Sequence, residues 1–412
     1  MKAGWQVKAL GEVAEIVNGG TPKSEVAEYW DGDIDWLTPK DMGKLNGHLV
    51  GQTPRRISLA GLAKCSARQV PENSVIMSTR APIGHLAMNT VPMAFNQGCR
   101  GMVPTSQLDA KFLFYVLGAN VQALDDLGTG TTFKELSAGV LKAFPIPLPP
   151  LAEQKQIVAV LDAAFAGLSR ARAHVLANLE NLSHLRQSTL SRAFAGQLST
   201  AQGNAPKTGW QTKALGEVCT KIGSGATPRG GNESDKDQGI ALIRSLNVHD
   251  LEFRLKDLAF LDDDQAAALD NVSVNAGDVL LNITGASVAR CCIAPAELLP
   301  ARVNQHVSIL RPKPEQLNTD FLAYLLVSKE MKDRLLGIGE EGGSTRQALT
   351  KAQLQDFKIP LPPIAEQREI VTTLDAAFDA FAATESHYRA KLADLDALRA
   401  ALLQKAFAGE LT

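Results

Sequence analysis

The chain has 412 residues, 45% hydrophobic and 21% charged, with a formal net charge of −2. That length exceeds one ordinary hydrophobic core, and no apolar run reaches the roughly 18 residues a membrane span needs. Near-neutral charge gives no whole-chain sign of a nucleic-acid partner.

The opening Met1-Lys2-Ala3-Gly4-Trp5 has a charge but no following apolar region, so no signal peptide is expected and the location is cytoplasmic. The five cysteines (Cys65, Cys99, Cys219, Cys291, Cys292) have neither paired disulfide spacing nor zinc-ligand spacing, and read as free, buried thiols. Asp31-Gly32-Asp33-Ile34-Asp35 resembles a cation loop but lacks the later glycine and distal glutamate. It reads instead as a turn into a strand at Ile34–Leu37. Further strands are expected at Ser74–Ser78, Gly84–Met88 and around Gly101–Val103. Helical spacing covers Ala110–Leu127, and a turn-rich Gly128-Thr129-Gly130-Thr131-Thr132 follows.

Next comes IPLPPLAEQKQIVAVLDAAF at residues 146–165, which returns as IPLPPIAEQREIVTTLDAAF at 359–378 with fifteen of twenty positions identical. Gly4–Val13 likewise returns at Gly209–Val218 with one change in ten, and Phe194-Ala195-Gly196 returns as Phe407-Ala408-Gly409. The chain is one module written twice. The second copy predicts strands near Ile240–Ile243, Asp278–Ile283 and Val307–Leu310, then a helix from Phe321 to Leu336, then Gly342-Gly343-Ser344-Thr345. The ends of the module are held constant while its interior differs.

Prolines mark the start of a long helix in each copy. Leu161, Phe165, Leu168, Arg172, Val175, Leu179 and Leu182 form a seven-residue period, matched by Leu374, Phe378, Phe381, Glu385, Tyr388, Leu392 and Leu395. Such a row demands a partner helix. Arg172 and Glu385, the charged step in each row, either meet across the seam or snorkel to solvent. About 44 residues make a rod of roughly 65 Å, and two such rods are expected to pair antiparallel. Residues 197–208, small and polar, read as the linker between copies.

Gly337-Ile338-Gly339-Glu340-Glu341-Gly342 fits a dinucleotide loop by spacing alone, but a helix precedes it and its glutamates repel phosphate. No Walker A loop, nuclease cluster or methyltransferase tetrad is present, so the chain reads as having no chemistry of its own. What remains are polar loop residues in matching places. Thr79 and Arg80 answer Asn282 and Thr284; Asn96, Gln97 and Arg100 answer Asn304, Gln305 and His306; Thr132 and Lys134 answer Thr345 and Arg346. Arg, Asn and Gln suit base edges, while Ser, Thr and Lys suit phosphates. Arg80, Asn96, Gln97 and Arg100 are the expected base readers of the first copy, and Asn304, Gln305, His306 and Arg346 of the second; Thr79, Lys134 and Thr345 suit phosphate.

These residues, with the twice-written Pro-Leu-Pro-Pro-(Leu/Ile)-Ala-Glu-Gln (Pro147–Gln154, Pro360–Gln367), Lys-Ala-Leu-Gly-Glu-Val (Lys8–Val13, Lys213–Val218) and Thr-Pro (Thr21-Pro22, Thr227-Pro228), resemble the DNA-specificity subunits of type I restriction–modification systems. The resemblance covers essentially the whole chain. One departure is Gly225-Ala226 where the first copy has Gly19-Gly20. It implies an α+β protein with two similar mixed α/β target-recognition domains, an antiparallel coiled coil of two long helices and an internal pseudo-twofold repeat. The corresponding segments are 1–148 (first recognition domain), 149–198 (central helix), 199–208 (linker), 209–361 (second recognition domain) and 362–412 (distal helix). Each domain would read half of a split double-stranded DNA target. The implied partners are two methylation subunits carrying S-adenosylmethionine and, in the full complex, two restriction subunits carrying ATP and magnesium; this chain itself would hold no cofactor or metal. Partners supplying phosphate contacts would reconcile DNA binding with near-neutral charge. Two other classes compete: a fused restriction–methylation enzyme, which would show catalytic motifs, and a coiled-coil scaffold holding two binding modules without DNA specificity.

Overall fold

The structure, a computed structural model, describes residues 2, 4–130, 134–197, 209–226, 238–340 and 348–411. The expected linker at 199–208, Thr132, Thr345, Arg346, the second Thr-Pro (Thr227-Pro228) and the glycine turn at 342–345 lie outside the described residues. The chain divides into two compact units, one comprising Met1–Leu176 with Arg389–Thr412 and the other Ala177–Tyr388.

Each unit closes on itself in the same way. In the first, Gln6–Ala9 pairs antiparallel with Pro145–Leu148, with Gln6 opposite Leu148. In the second, Gln211–Ala214 pairs with Lys358–Leu361, with Gln211 opposite Leu361. The repeated Leu-Gly-Glu-Val then forms one helical turn that buries Leu10 and Val13, or Leu215 and Val218. Its glycine keeps the turn close to a neighbouring helix, because a methyl on Gly11 would sit 3.3 Å from the Lys142 carbonyl and one on Gly216 3.1 Å from that of Gln355.

The first unit holds a five-stranded sheet in the order Ala14–Asn18, Cys99–Pro104, Val75–Thr79, Ile83–Asn89, Leu49–Val50. A three-stranded sheet runs Arg56–Ile57, Trp30–Leu37, Ala94–Phe95. The second unit has two four-stranded sheets: Cys219–Ser224, Val307–Pro312, Val279–Asn282, Cys291–Ile293, and Ala259–Leu261, Ile240–Ile243, Ala301–Val303, Ser273–Val274. The strands expected from alternation and apolar runs are all present. The Asp31–Asp33 segment is not a turn ahead of the strand but a bulge within it, since Trp30 and Ile34 both pair with Ile57. There Asp35 accepts from the Thr53 backbone at 2.8 Å and from Arg56 at 3.3 Å.

Both expected interior helices are broken, each at a polar residue. Ala110–Ala119 and Val121–Asp126 are separated by Asn120, whose amide donates back to the Val116 carbonyl at 2.7 Å. Thr319–Val327 and Lys329–Glu340 are separated by Ser328, which is extended and donates to the Leu325 carbonyl at 2.6 Å. Both pieces still face the core through Leu124 and Leu335, so apolar spacing runs through the break unchanged. Gly337–Glu340 lie inside the second of these helices.

The long helices run Leu151–Phe194 and Ile364–Ala408. Each starts on a buried glutamine making the same three bonds. Gln154 Oε1 accepts from Asp109 N at 2.8 Å, and its Nε2 donates to the carbonyls of Gln107 (2.9 Å) and Pro149 (2.8 Å). Gln367 repeats this with Asn318 N, Gln316 O and Pro362 O at 2.8, 2.9 and 2.8 Å. Two turns on, Asp162 accepts from the Tyr115 hydroxyl and Asp375 from that of Tyr324. Burial and the adjacent carboxylate raise both phenols, keeping them as donors.

Within each unit, segments of the two helices pack antiparallel. In the first, Ile157 and Leu161 share a core with Ala406, the Arg399 guanidinium covers the Phe165 ring at 4.4 Å, and Arg172 meets Asp396 at 2.9 Å. In the second, Arg186 meets Glu385 at 2.9 Å, while Leu190 and Phe194 share a core with Ile370, Val371 and Leu374. Arg172 and Glu385 therefore find different partners and do not form one seam pair: the antiparallel register sets Arg172 opposite a residue eleven positions beyond Glu385, and Glu385 opposite one fourteen positions beyond Arg172. The repeated Phe-Ala-Gly ends each helix in the same way. Gly196 and Gly409 take φ of 77° and 81°, and Gln197 N and Glu410 N close back on the Arg192 and Lys405 carbonyls, a left-handed cap that favours glycine.

Four of the free thiols are buried and Cys65 is half-buried; burial pushes Cys99, Cys219 and Cys292 each up to about 12. Among the described residues, no helix is long and apolar enough to cross a membrane.

Replacing Gln154 by alanine would strand one backbone N–H and two carbonyls, so unfolding in urea should show a loss of about 3 kcal/mol. Gln154→Glu keeps the volume but cannot donate, and should fall nearly as far. A change below about 0.5 kcal/mol for both would contradict the role assigned to this side chain.

Candidate nucleic-acid interface

In the first domain two turns meet at one end of the five-stranded sheet. Val75–Thr79 leads through Arg80-Ala81-Pro82 into Ile83–Asn89, and Ala94–Phe95 leads through Asn96-Gln97-Gly98 into Cys99–Pro104. Thr79 N donates to Gly98 O at 2.8 Å and ties the turns together. The second domain repeats the plan with Ile283 N donating to His306 O at 3.0 Å, joining the loop after Val279–Asn282 to the turn Asn304-Gln305-His306.

The shared asparagines build the turns. Asn96 Oδ1 accepts from Gly98 N at 2.9 Å and Asn304 Oδ1 accepts from His306 N at 3.0 Å. Each side chain thus folds onto the backbone two residues ahead, as Asn commonly does in turns. The recurrence of Asn at these places has a local reason in turn chemistry. A glycine backs each turn: a methyl on Gly19 would lie 2.0 Å from Asn96 O, and one on Gly225 1.6 Å from Val303 O. At the next position a methyl on Gly20 would lie 2.4 Å from Ala67 N, whereas Ala226 is exposed. The departure at Gly-Ala therefore leaves the essential glycine in place.

The remaining candidates divide by where their polar atoms point. Thr79 and Asn282 are fully buried. Thr79 Oγ1 donates to Gly98 O, and Asn282 Nδ2 donates to Ser245 O at 2.9 Å, so neither reaches the surface to touch DNA. Arg100 folds its guanidinium onto the Gln97 and Cys99 carbonyls and toward Glu135 at 3.6 Å, bracing the turn from beneath. Lys134 is exposed but holds Asp125 at 2.9 Å. Arg80 and Gln97 stand at the tips, both exposed, with Gln97 bonded to the Thr21 hydroxyl. Gln305 is exposed in the second domain, with His306 and Thr284 half-buried beside it and bonded to each other.

Sequence reasoning passed over two cations here. Arg290 lines a concavity of about 470 Å³ together with Ser245, Leu246, Thr284, Ser287 and His306; it lies just beyond the loop whose spacing drew attention. Arg55 rests on the Trp30 ring at 3.7 Å, and the neighbouring Trp36 donates through Nε1 to Gly20 O at 2.9 Å, beside Thr21. A local signal was available: residues 39–108 contain eight basic side chains (Lys40, Lys44, Arg55, Arg56, Lys64, Arg68, Arg80, Arg100) against Asp41 and Glu72. A near-neutral total conceals this bias.

The family profile of the type I restriction modification DNA specificity domain matches residues 2–181 and again 207–393. The EcoBI specificity subunit of Escherichia coli is 27% identical over 428 aligned positions, covering 99% of this chain and 86% of that protein. The MjaIX specificity subunit of Methanocaldococcus jannaschii is 35% identical over 160 residues, 38% of this chain, and the match spans only 37% of that protein's length. In solved structures, a chain from a study of type I R-M complex assembly and conformational transition superposes with a TM-score of 0.76 at 23% identity, covering 100% and 99% of the two chains. The HsdS subunit of Thermoanaerobacter tengcongensis gives 0.59 at 22% identity, covering 100% and 98%. Two matches to one specificity domain, on two similar mixed α/β domains joined to antiparallel long helices, place the chain in the type I restriction–modification DNA-specificity subunit family.

Proposed function

We propose that this chain is the sequence-reading subunit of a type I restriction–modification complex, each domain reading one half of a two-part double-stranded DNA target. The observation that carries this reading is the same polar turn built twice. An Asn-capped apex seated on a glycine backbone presents Gln97 in one domain and Gln305 in the other, on interiors that otherwise differ. Glutamine and arginine at such tips suit base edges in the major groove. In this reading the paired helices set the gap between the halves, because half-sites must lie a fixed helical distance apart.

Chemistry then belongs to partners. Two methylation subunits would dock on the constant helices and bring S-adenosylmethionine, and restriction subunits would bring ATP and magnesium. Methylating a base inside a duplex requires extruding it, and the recognition domains would grip the flanking sequence meanwhile. The work is done on chromosomal and incoming DNA, hence in the cytoplasm. The scaffold alternative predicts paired domains with no DNA specificity. The specificity-domain match and the clustered basic side chains favour a DNA reader.

Sequencing of modified bases in the host, with and without this gene, tests the reading. The expected result is a methylated motif of two short halves around a fixed gap, lost on deletion; loss of no motif from a host with an active system would contradict it. At residue level, Arg80→Ala should cost about 1–3 kcal/mol at one base position of one half. An equal loss on every target sequence would show that Arg80 holds backbone phosphate instead.

A further inference from the structure

The concavity of about 470 Å³ in the second domain is walled by three loops, which contribute Ser245, Ser287 with Arg290, and His306. One buried strand end fixes all three to each other. Asn282 N donates to Arg290 O at 2.9 Å, and Asn282 Nδ2 donates to Ser245 O at 2.9 Å. The next residue donates to the third loop, from Ile283 N to His306 O at 3.0 Å. Arg290 follows Ala289, which is fully buried with φ of 65°. Alanine rarely adopts that left-handed conformation, and a bond from Ala289 N to Asn282 O at 2.9 Å holds it there. The position of Arg290 is therefore set by backbone bonds on both sides of it.

Ser245, Ser287 and Arg290 are all half-buried, and among the described residues neither the two hydroxyls nor the guanidinium has a protein partner. No residue lining the concavity carries a carboxylate. The first domain differs at the corresponding place. Each domain has a strand with a parallel neighbour, Trp30–Leu37 or Ile240–Ile243, and closes the following turn with a side chain three residues on. Asp41 Oδ2 accepts from Thr38 N at 3.1 Å, and Asn247 Oδ1 accepts from Arg244 N at 3.1 Å. One turn is thus closed by a carboxylate in the first domain and by a neutral amide beside Ser245 in the second.

We propose that this concavity seats one backbone phosphate of the second half of the target, with Arg290 and the hydroxyls of Ser245 and Ser287 donating to its oxygens. Shape argues for backbone over base. A groove is entered by side chains that protrude, whereas the phosphodiester itself protrudes from a duplex and needs a recess. A planar guanidinium and hydroxyl donors suit phosphate oxygens. Leu246, exposed in the same lining, offers an apolar face to the adjoining deoxyribose, which a free anion lacks. The inference rests on the reading of the second domain as a DNA reader, and gives it the contact that sets its register on the duplex.

The test uses the full chain assembled with its methylation partners, and measures DNA affinity at several salt concentrations. Arg290→Ala should weaken binding roughly tenfold for every sequence tried in the second half, and should lower the slope of log affinity against log salt by about one. Arg290→Lys, which keeps the charge, should keep that slope. Neutral methylphosphonates placed one at a time along the second half of the target should weaken the unaltered complex most at one position. At that position they should cost the Arg290→Ala complex little more. This scan on the unaltered complex decides the matter if the alanine variant does not assemble, since equal losses at every position would overturn the proposal. A loss confined to one base pair would make Arg290 a base reader and overturn it too. Insensitivity at every position, with Arg290-dependent stabilisation by inorganic phosphate, would show a site for the free anion and overturn the assignment to DNA. Absence of any two-part target for the unaltered complex would instead overturn the functional reading beneath it.

Discussion

One buried glutamine per copy holds the architecture together. Gln154 and Gln367 each use both ends of the amide at once, joining the proline turn ahead of a long helix to the cap of an interior helix. Three bonds to backbone at near-ideal lengths fix the side chain and both elements it touches. Because the long helix is tied down at its first turn, its direction leaving the domain is set there. The Asp162–Tyr115 and Asp375–Tyr324 bonds two turns later keep that direction. Neighbouring Glu153 and Glu366 add ties to Lys2 and Trp210, so the start of each domain is gathered at the same point. The constant Ala-Glu-Gln and Leu-Asp sequences are thus the joint between recognition domain and helix.

With that joint constant, the interiors are free to differ. The first domain uses a five-stranded and a three-stranded sheet, the second a pair of four-stranded sheets, yet both bring an Asn-Gln turn beside the loop that follows a central strand. The turn survives because its needs are local: an Asn to close it and a glycine behind it. Side chains around the apex can change without disturbing either, which is the arrangement expected of a domain whose role is to present different base contacts on one frame.

Much of this was legible in the sequence, for identifiable reasons. The repeat located both helices, their proline starts and glycine ends, and a seven-residue apolar period required a partner helix. Periodicity could not reveal the breaks at Asn120 and Ser328, because Leu124 and Leu335 continue to face the core across them. Nor could it give the pairing of Arg172 with Asp396 and Glu385 with Arg186, which depends on the antiparallel register and not on matching steps. At the interface, position was readable but direction was not. Thr79, Asn282 and Arg100 sit where the spacing places them, with their polar atoms turned inward. The double occurrence of Asn96 and Asn304 was a sound signal of a shared turn, and its meaning became clear only from the bond each makes to its own backbone. Gln154 and Gln367 end the repeated proline motif, but nothing in their spacing told that they would be buried.

In the proposed reading the long helices act as a ruler between two readers. Inserting seven residues at equivalent points in both helices preserves the apolar phase and lengthens each by roughly 10 Å. Mapping the methylated target of the resulting complex measures the consequence directly. The account predicts the same two half-sequences separated by a gap longer by about three base pairs, at 3.4 Å each. An unchanged gap in an active complex, or altered half-sequences, would contradict it.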